Sequence, residues 1–403
     1  MKKLMMMAMM LMACTMTFAG DSDALKAITK TKNYAEALQL VNNTLSQLAN
    51  DQEKAEAYNH LVDLAMDKVN DERGIMTENA LAAQTGGKQK PYDTLGLANA
   101  ICDAIDMAIE CNKYDQKPNA KGKVKPQFAT KNAERIWQVR QNLIAVGQSE
   151  AQNGNREGVL RFWGGFTDSA ADPLFASQDH APEAEYAGQV AYFAGRYAYE
   201  LKQFDRAERY LSIAMQDPTQ KADALNYKLY AMRNNLKNHE DSLACITQLK
   251  GLYEQDPSND VVLDALNSMY EGQHDVAAQT ALLDNHLAKF PQSYIALASK
   301  GFIAMGANDA ATAASWLQKA VAVKNDHAPL YYYLGLCLNS QAATTDDDAK
   351  RKDFLGQAIQ AFDKCKELDP NKQMCNWGYN RFQAYYSLYG ADDPKTKEAE
   401  YDK

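Results

Sequence analysis

The stretch that decides the fold is residues 192–211, YFAGRYAYELKQFDRAERYL. Two amphipathic helical patterns meet there at a short polar turn. The small residues Gly195 and Ala207 stand twelve positions apart, one in each predicted helix, and the same spacing separates Gly301 from Ala313. Because antiparallel helices approach closely only where small side chains face each other, the pattern predicts a helical hairpin.

The hairpin pattern recurs along the chain with a period near 34 residues. Gly335 follows Gly301 by 34 positions, and Gly195 precedes Gly301 by 106 positions, or about three such units. Tyr230 and Ala265 stand at the intermediate places. A helical pattern repeated at this period predicts stacked hairpins whose neighbouring units bury a continuous core.

The last clear repeat carries the fullest motif. Seven residues match the W-x2-L-G-x2-Y and A-x3-F…P patterns, namely Tyr331, Leu334, Gly335, Leu338, Ala358, Phe362 and Pro370. The chain therefore resembles the tetratricopeptide-repeat family, from which it departs by about eleven extra residues at 340–350 that we expect to lengthen the turn. The resemblance implies an all-α, right-handed solenoid of helix–turn–helix repeats, with six or seven units over most of residues 21–390.

The sequence divides into four regions. Residues 1–19 are a predicted signal peptide, 21–130 an N-terminal helical region with degenerate repeat-like units, and 131–390 the repeat array. Residues 391–403 are a charged tail that we expect to fray.

Within the N-terminal region the pattern predicts helices over 55–69 and from Asp93 to Cys111, with a loop over 74–92 between them. The segment 113–126 holds two prolines and Gly122 and is expected to be irregular. One further helix is expected to carry both Ile136 and Leu143.

The N-terminus predicts export. Lys2 and Lys3 precede an apolar run of about ten residues, and small residues ending at Ala19 suit a signal peptidase. The run is shorter than the ~20 residues that cross a bilayer, so no transmembrane span is expected. A periplasmic location follows, with an outer-membrane lipoprotein as the alternative, because Leu11 to Cys14 resembles a lipobox whose Cys14 would be lipidated.

Composition and charge narrow the class of protein. With 46% hydrophobic residues the chain is globular, and with 43 basic against 52 acidic residues its net charge of −9 disfavours nucleic-acid binding. Beyond Cys14 there are six cysteines, none spaced as CxxC: Cys102, Cys111, Cys245, Cys337, Cys365 and Cys375. They match neither a zinc site nor a dense disulfide framework, although they could still pair, and we expect buried apolar roles for them.

No constellation for chemistry is present in the sequence. It lacks GxSxG, GxxxxGK[ST], GxGxxG and HExxH, and no two of its six histidines stand three or four apart. We therefore expect no catalytic residue, no metal and no cofactor. The expected function is a non-catalytic scaffold that binds a protein or peptide.

The repeat resemblance implies a concave binding face lined by the first helices of the units. The candidate groove residues are Tyr192, Arg196, Tyr199, Tyr227, Asn234, Phe302, Tyr332 and Asn339. Packing between repeats is the competing role for the aromatic ones among them. A family clamp for peptide carboxylates is not implied, since those positions hold mainly Tyr, Ala and Leu.

A basic segment stands out against the acidic background and could contact an acidic partner, a lipid headgroup or an anionic glycan. Its candidate residues are Lys121, Lys123, Lys125, Lys131 and Arg135. More often such a run is a solvated loop. Two other functions stay open, a lipid-anchored glycan- or surface-binding lipoprotein that uses the hairpins as a framework, and a purely structural accessory subunit.

Overall fold

The computed structural model describes residues 21–119 and 122–403. Within those ranges the chain forms nineteen α-helices and no β-strand, which confirms the predicted all-α fold. The predicted signal peptide and Cys14 lie outside the described residues. The chain divides into two compact units after Asn235.

The first unit contains ten helices within its described residues and three single turns of 3₁₀ helix. The helices are α1 (Asp23–Lys30), α2 (Tyr34–Thr44), α3 (Asp51–Thr85), α4 (Thr94–Asp115), α5 (Ala129–Trp137), α6 (Asn142–Gln152), α7 (Arg156–Ala171), α8 (Ala187–Glu200), α9 (Phe204–Ala214) and α10 (Lys221–Asn234). The 3₁₀ turns are Leu45–Gln47, Pro173–Phe175 and Ala181–Glu183. Helices adjacent in sequence pack as hairpins, as α3 with α4, α6 with α7 and α8 with α9.

The second unit contains nine helices. They are α11 (His239–Gln255), α12 (Asp260–Gly272), α13 (Val276–Lys289), α14 (Tyr294–Gly306), α15 (Ala310–Val323), α16 (Ala328–Thr344), α17 (Asp348–Leu368), α18 (Gly378–Tyr389) and α19 (Pro394–Glu400). Successive helices again pack against each other, so each unit is a stack of helical hairpins with its core between them.

Two expectations for the N-terminal region were wrong. The predicted loop over 74–92 is helical as far as Thr85, because the residues after Gly74 are good helix formers. The helix ends where Gly86 adopts φ 73°. The single helix expected across Ile136 and Leu143 is two helices, α5 and α6. The predicted start at Asp93 is confirmed, since its carboxylate caps α4 by accepting from the Gly96 N–H at 2.7 Å.

The repeat hairpins share a close contact that differs from the predicted one. A Cβ on Gly195 would lie 2.6 Å from Leu211 Cγ, and a Cβ on Gly301 would lie 2.9 Å from Leu317 Cγ. The alanines expected opposite these glycines are buried in the same interfaces. The steric need for glycine, however, comes from the leucine sixteen residues later, which occupies the space of the missing side chain.

The turn of the hairpin has its own signature. Seven residues after the closely packed Gly147, Gly195 and Gly301 the backbone adopts positive φ, at Gly154 (73°), Lys202 (58°) and Asn308 (59°), and His274 (57°) adopts it in the turn after α12. Non-glycine residues adopt this conformation rarely, so its recurrence at one position shows that the hairpins share a single register.

That register identifies a polar replacement in α12. Asn267, seven residues before His274, takes the place that glycine holds elsewhere and is buried. Gln279 Nε2 donates to Asn267 Oδ1 at 3.3 Å, and Asn267 Nδ2 donates to Ser299 Oγ at 3.4 Å. The sequence-based choice of Ala265 was therefore two residues out of register.

The extra residues at 340–350 lengthen helices rather than the turn, so that expectation was wrong. Helix α16 continues to Thr344 and α17 begins at Asp348, capped by Asp347, which leaves a three-residue turn. A Cβ on Gly335 would lie 2.7 Å from Phe362 Cε1, a partner 27 rather than 16 residues away. The inserted residues are thus absorbed as additional helical turns.

The expected fraying of residues 391–403 was also wrong. Helix α19 packs on α18 and buries Thr396 and Ala399. The cause is the buried Arg381 of α18, whose Nη1 lies 2.7 Å from Asp402 Oδ2 and whose Nε lies 2.7 Å from Asp363 Oδ1. A buried guanidinium needs carboxylate partners, and the C-terminal segment supplies one of them.

A buried histidine is expected to make the second unit sensitive to acid. His286 Nδ1 lies 2.8 Å from the Tyr253 hydroxyl, its Nε2 is buried without a hydrogen-bond partner, and burial lowers its pKa despite nearby Asp260. The neutral ring therefore stabilises the fold above the unfolded-state pKa of about 6.5, and this stability is lost as the pH falls below it. We expect the free energy of unfolding, measured with urea, to fall between pH 7.5 and pH 5.5. The fall should be smaller in His286→Gln.

The control for this prediction is His239→Gln, since His239 is exposed at the start of α11. It should keep the pH dependence of the wild-type chain. An unchanged pH dependence in His286→Gln would show that another group is responsible.

Candidate functional site

Four tyrosines of the first unit form one surface, which we call the tyrosine face. Tyr192 and Tyr199 stand on α8, and Tyr227 and Tyr230 stand on α10. The first three are half-buried, whereas Tyr230 is 55% exposed. The repeat period places Tyr230 at an intermediate position of the array, and the predicted groove residues do not include it. Its spacing of three residues from Tyr227, which puts both on one side of a helix, was the signal that identifies it.

The rings of the tyrosine face hold each other in place. Tyr227 meets Tyr192 at 6.0 Å and Tyr199 at 5.8 Å between centroids, both nearly perpendicular, and it meets Tyr230 at 6.3 Å. Edge-to-face pairs at these distances are favourable beyond the area they bury. The face is therefore ordered before any partner arrives.

Two of the predicted groove residues border the tyrosine face. The Asn234 side-chain amide donates to the Tyr230 carbonyl at 2.8 Å and lies 3.4 Å from the Tyr199 hydroxyl. The Arg196 guanidinium stands near the Tyr192 hydroxyl, and its Nε lies 3.5 Å from Glu200 Oε1. Burial, with smaller effects from nearby Asp223 and Tyr227, raises the pKa of Tyr192, so its hydroxyl stays a neutral hydrogen-bonding group.

The groove residues predicted in the second unit lie in two places. Phe302 is 41% exposed on α14 and meets Tyr333 of α16 edge to face at 5.0 Å. Tyr332 packs instead against Phe362 at 6.3 Å between centroids, and burial raises its pKa. Phe302 is thus available to a partner, whereas Tyr332 is largely a packing residue.

Asn339 lines a cleft of about 430 Å³ formed by α16, α17 and α18. Its Nδ2 donates to the Asn380 carbonyl at 3.3 Å, and its Oδ1 is buried without a partner. Arg351, Phe382 and Tyr386 stand around the same cleft. The cleft therefore combines apolar lining residues with the Asn339 Oδ1 acceptor, to which a bound hydrogen-bond donor could donate.

Helix α18 carries aromatic residues that sequence analysis missed. Tyr379, Tyr386 and Tyr389 are 53%, 51% and 45% exposed. With Phe382 they follow a spacing of 3, 4 and 3 residues, which is one stripe of a helix and could have been recognised in the sequence. Sequence analysis missed the stripe because it followed the repeat motif, and no match to that motif extends past Pro370.

The described lysines of the predicted basic segment lie at the surface, whereas its arginine is paired. Lys121 lies outside the described residues, and Lys123, Lys125 and Lys131 are exposed. Arg135 is half-buried, and its Nη1 forms an ion pair with Asp63 at 2.6 Å. The patch stays a prediction that now rests on the lysines.

The described residues contain no group of three or more His, Cys, Asp or Glu side chains placed to hold a metal ion. Within the same part of the chain, no helix is both long enough and apolar enough to cross a membrane.

Comparisons with known proteins bear on the fold. No protein-family model and no curated protein matches the chain. Among solved structures it is similar to a TPR-repeat protein from Bacteroides fragilis, with 15% identity, 62% of this chain and 98% of that chain covered, and a TM-score of 0.32. It is also similar to the C-terminal part of a TPR repeat-containing protein from Cytophaga hutchinsonii, with 12% identity, 63% of this chain and 97% of that chain covered, and a TM-score of 0.36. A third similar structure is the human IFIT1 dimer with m7Gppp-AAAA, with 14% identity, 83% of this chain and 76% of that chain covered, and a TM-score of 0.35.

These similarities concern the fold alone. The class of the protein follows from its own hairpins, which repeat a glycine-to-leucine contact and a left-handed turn residue at fixed spacing. The chain has the fold of a tetratricopeptide-repeat protein.

Proposed function

We propose that the protein is a non-catalytic interaction scaffold that binds a protein or peptide through the tyrosine face. The observation that carries the proposal is the cluster of four mutually packed tyrosines on α8 and α10, with Tyr230 more than half exposed. Tyrosine is enriched at binding hot spots, since it offers a large apolar surface and a polar end.

Preorganisation supports the same site. A tyrosine has few rotatable bonds, and the three half-buried rings beside Tyr230 are already restrained by their neighbours. A partner therefore spends little free energy on ordering this surface when it binds. The Asn234 amide at the edge adds a polar group that can exchange its present contacts for a peptide backbone.

The experiment places a photo-cross-linking amino acid at residue 230 in cells, and at residue 379 in a parallel strain. A protein captured at 230 and not at 379 is then purified, and its affinity is measured for the wild-type chain, Tyr230→Ala and Tyr379→Ala. We expect Tyr230→Ala to weaken binding about 30-fold, the loss of a hot spot of ~2 kcal/mol. Tyr379→Ala is the matched control, because its ring is equally exposed on α18.

Unfolding measurements separate binding from stability. An exposed tyrosine can be truncated with little loss of stability, within roughly 0.5 kcal/mol. Equal affinity of Tyr230→Ala and wild type for the captured protein would remove the tyrosine face as the binding site.

A second candidate function is glycan binding by α18. The observation in its favour is the exposed stripe of Tyr379, Tyr386 and Tyr389, together with the Gln383 side chain, which donates to the Tyr379 hydroxyl at 2.8 Å. Aromatic rings bordered by amides suit a sugar, which presents both apolar faces and hydroxyl groups. In this case Tyr379→Ala would abolish binding to envelope polysaccharides, and Tyr230→Ala would leave it intact.

We also propose that the protein works in the cell envelope of a bacterium. The support is the positively charged start, short apolar run and small residues over positions 1–19. The mass of the N-terminal peptide of the protein recovered from cells tests this. A start at Gly20 supports a periplasmic scaffold, a lipidated Cys14 supports an outer-membrane lipoprotein, and retention of Met1 contradicts export.

A further inference from the structure

Two buried cysteines lie side by side in the second unit. Cys365 is in the last turn of α17, Cys375 is in the connection to α18, and the two buried side chains neighbour each other in the same core cluster. We propose that Cys365 and Cys375 are a modification site, joined as an intramolecular disulfide when the folding chain meets a thiol oxidant of the disulfide class. The inference stands independently of the proposed binding function.

The backbone brings the two cysteines together through hydrogen bonds that do not involve sulfur. The Asp369 N–H donates to the Cys365 carbonyl at 2.8 Å, which continues α17 to its end. The Asp369 carboxylate then accepts from three backbone N–H groups, those of Gln373, Met374 and Cys375, at 2.8, 2.8 and 2.9 Å. The chain after the helix is thereby folded back onto its last turn.

Further contacts fix this turn. The Trp377 indole N–H donates to the Asp369 carbonyl at 2.8 Å, and Lys372 adopts φ 54° to reverse the chain. Trp377 itself is fully buried. These contacts hold the backbones of both cysteines on the two sides of one turn around Asp369.

Other cysteines are placed differently. The Cys102 thiol donates to the Arg161 carbonyl at 3.4 Å, and the Cys111 thiol donates to the Ala55 carbonyl at 3.2 Å. They stand nine residues apart on α4, or about 13 Å along its axis, which is too far for a bridge. They serve as single buried thiols, and Cys111 provides a matched control.

The chemistry is a two-electron thiol–disulfide exchange. One cysteine thiolate attacks the donor disulfide and releases one donor thiol, and the second cysteine thiolate then displaces the other donor thiol from the mixed disulfide. The cysteine pair loses two protons and two electrons, and the donor is reduced to two thiols.

Burial decides when the exchange happens. It raises the pKa of Cys365 to about 12 and raises that of Cys375 as well, so neither thiol forms its reactive thiolate readily in the closed structure. The bond therefore forms while the turn is still open, during folding in an oxidising compartment.

The disulfide would clamp the last hairpin. It ties the end of α17 to the segment that begins α18, next to the ion pairs that join Arg381 to Asp363 and Asp402. Opening of α18 and α19 from the rest of the unit would then require breaking the turn as well as the ion pairs.

The test refolds the full chain from reducing denaturant in a buffer of reduced and oxidised glutathione, with recovery of helicity measured by circular dichroism. Remaining thiols are alkylated and the protein is digested with trypsin. We expect peptide 365–366 linked to peptide 373–381 with a mass 2 Da below the sum of the reduced pair, at least tenfold above any other cysteine pairing. Cys111→Ser should retain the linked peptide, and Cys375→Ser should lose it.

A second readout uses the folded protein from a strain with an oxidising cytoplasm. Addition of a reductant should lower the melting temperature of the wild-type chain and leave that of the Cys365→Ala, Cys375→Ala double variant unchanged. Recovery of both cysteines as alkylated thiols in helical protein from either route, or their pairing with other cysteines, would overturn the proposal.

Discussion

Replacing Arg140 with methionine should destabilise the first unit by about 3–5 kcal/mol, the cost of leaving a buried charge without its partner. Arg140 is fully buried between α5 and α6, and its Nη2 donates to Glu183, which is 2% exposed. Its Nη1 donates to the Phe166 carbonyl at 3.0 Å. After the replacement the Glu183 carboxylate would remain in an apolar site without its cation. Urea unfolding measured by circular dichroism gives the loss.

The Arg140 guanidinium is held by aromatic contacts as well as by Glu183. Its central carbon lies 3.7 Å from the centroid of the Trp137 ring and 4.2 Å from that of Phe166, so it is stacked between two aromatic rings. Burial lowers the pKa of Arg140 to about 10, although nearby Glu183 opposes this shift. The group still carries its charge at neutral pH.

Two variants test the cause of the destabilisation. In Arg140→Met with Glu183→Leu, both charges are removed, and most of the lost stability should return because desolvation of the ions no longer has to be offset. Arg156→Met is the control, since Arg156 forms an exposed ion pair with Glu200 at 3.1 Å and should cost under about 1 kcal/mol. Equal losses in Arg140→Met and Arg156→Met would contradict the argument.

Replacing Gly195 with alanine should destabilise the first unit by roughly 1–3 kcal/mol, although alanine is the better helix former. The new Cβ would lie 2.6 Å from Leu211 Cγ and 3.2 Å from the Leu211 backbone nitrogen. Leu211 is fully buried, and its backbone belongs to α9, so relief of the clash requires the two helices to separate. Chemical denaturation measures the loss.

Gly74→Ala is the control for the sign of that effect. Gly74 stands within α3 of the same unit, and a Cβ there would meet nothing within 4 Å. This variant should therefore be more stable than wild type by about 0.5–1 kcal/mol, through the higher helix propensity of alanine. Stabilisation of both variants would show that the hairpin can open without cost.

Most of the repeat architecture was predictable because it depends on local spacing. The glycines at 195, 301 and 335 were recognised as points of close approach, and each does have a side chain against its Cα. The unit around Asn267 was missed because it has no small residue at the position that glycine holds elsewhere. A buried asparagine that hydrogen-bonds to Gln279 stands there instead.

The candidate site was only partly predictable. Tyr192, Tyr199 and Tyr227 were predicted as groove residues and lie together, but their exposed neighbour Tyr230 was not among the predicted groove residues. A pattern of residues shows which side of a helix a side chain is on. How much of a ring remains exposed depends on the helices packed around it, which the pattern does not contain.

The sequence alone determined the all-α class, the hairpin repeat and the lack of known catalytic motifs, because helix periodicity, glycine spacing and motif content are properties of short stretches of chain. Tertiary structure decided the rest. Arg140 is charged and yet is buried against Glu183, and the charged C-terminal segment packs because Arg381 needs the Asp402 carboxylate. It also placed Cys365 beside Cys375. Such pairings depend on which residues the fold brings together, and a charge or a thiol has no environment until that has happened.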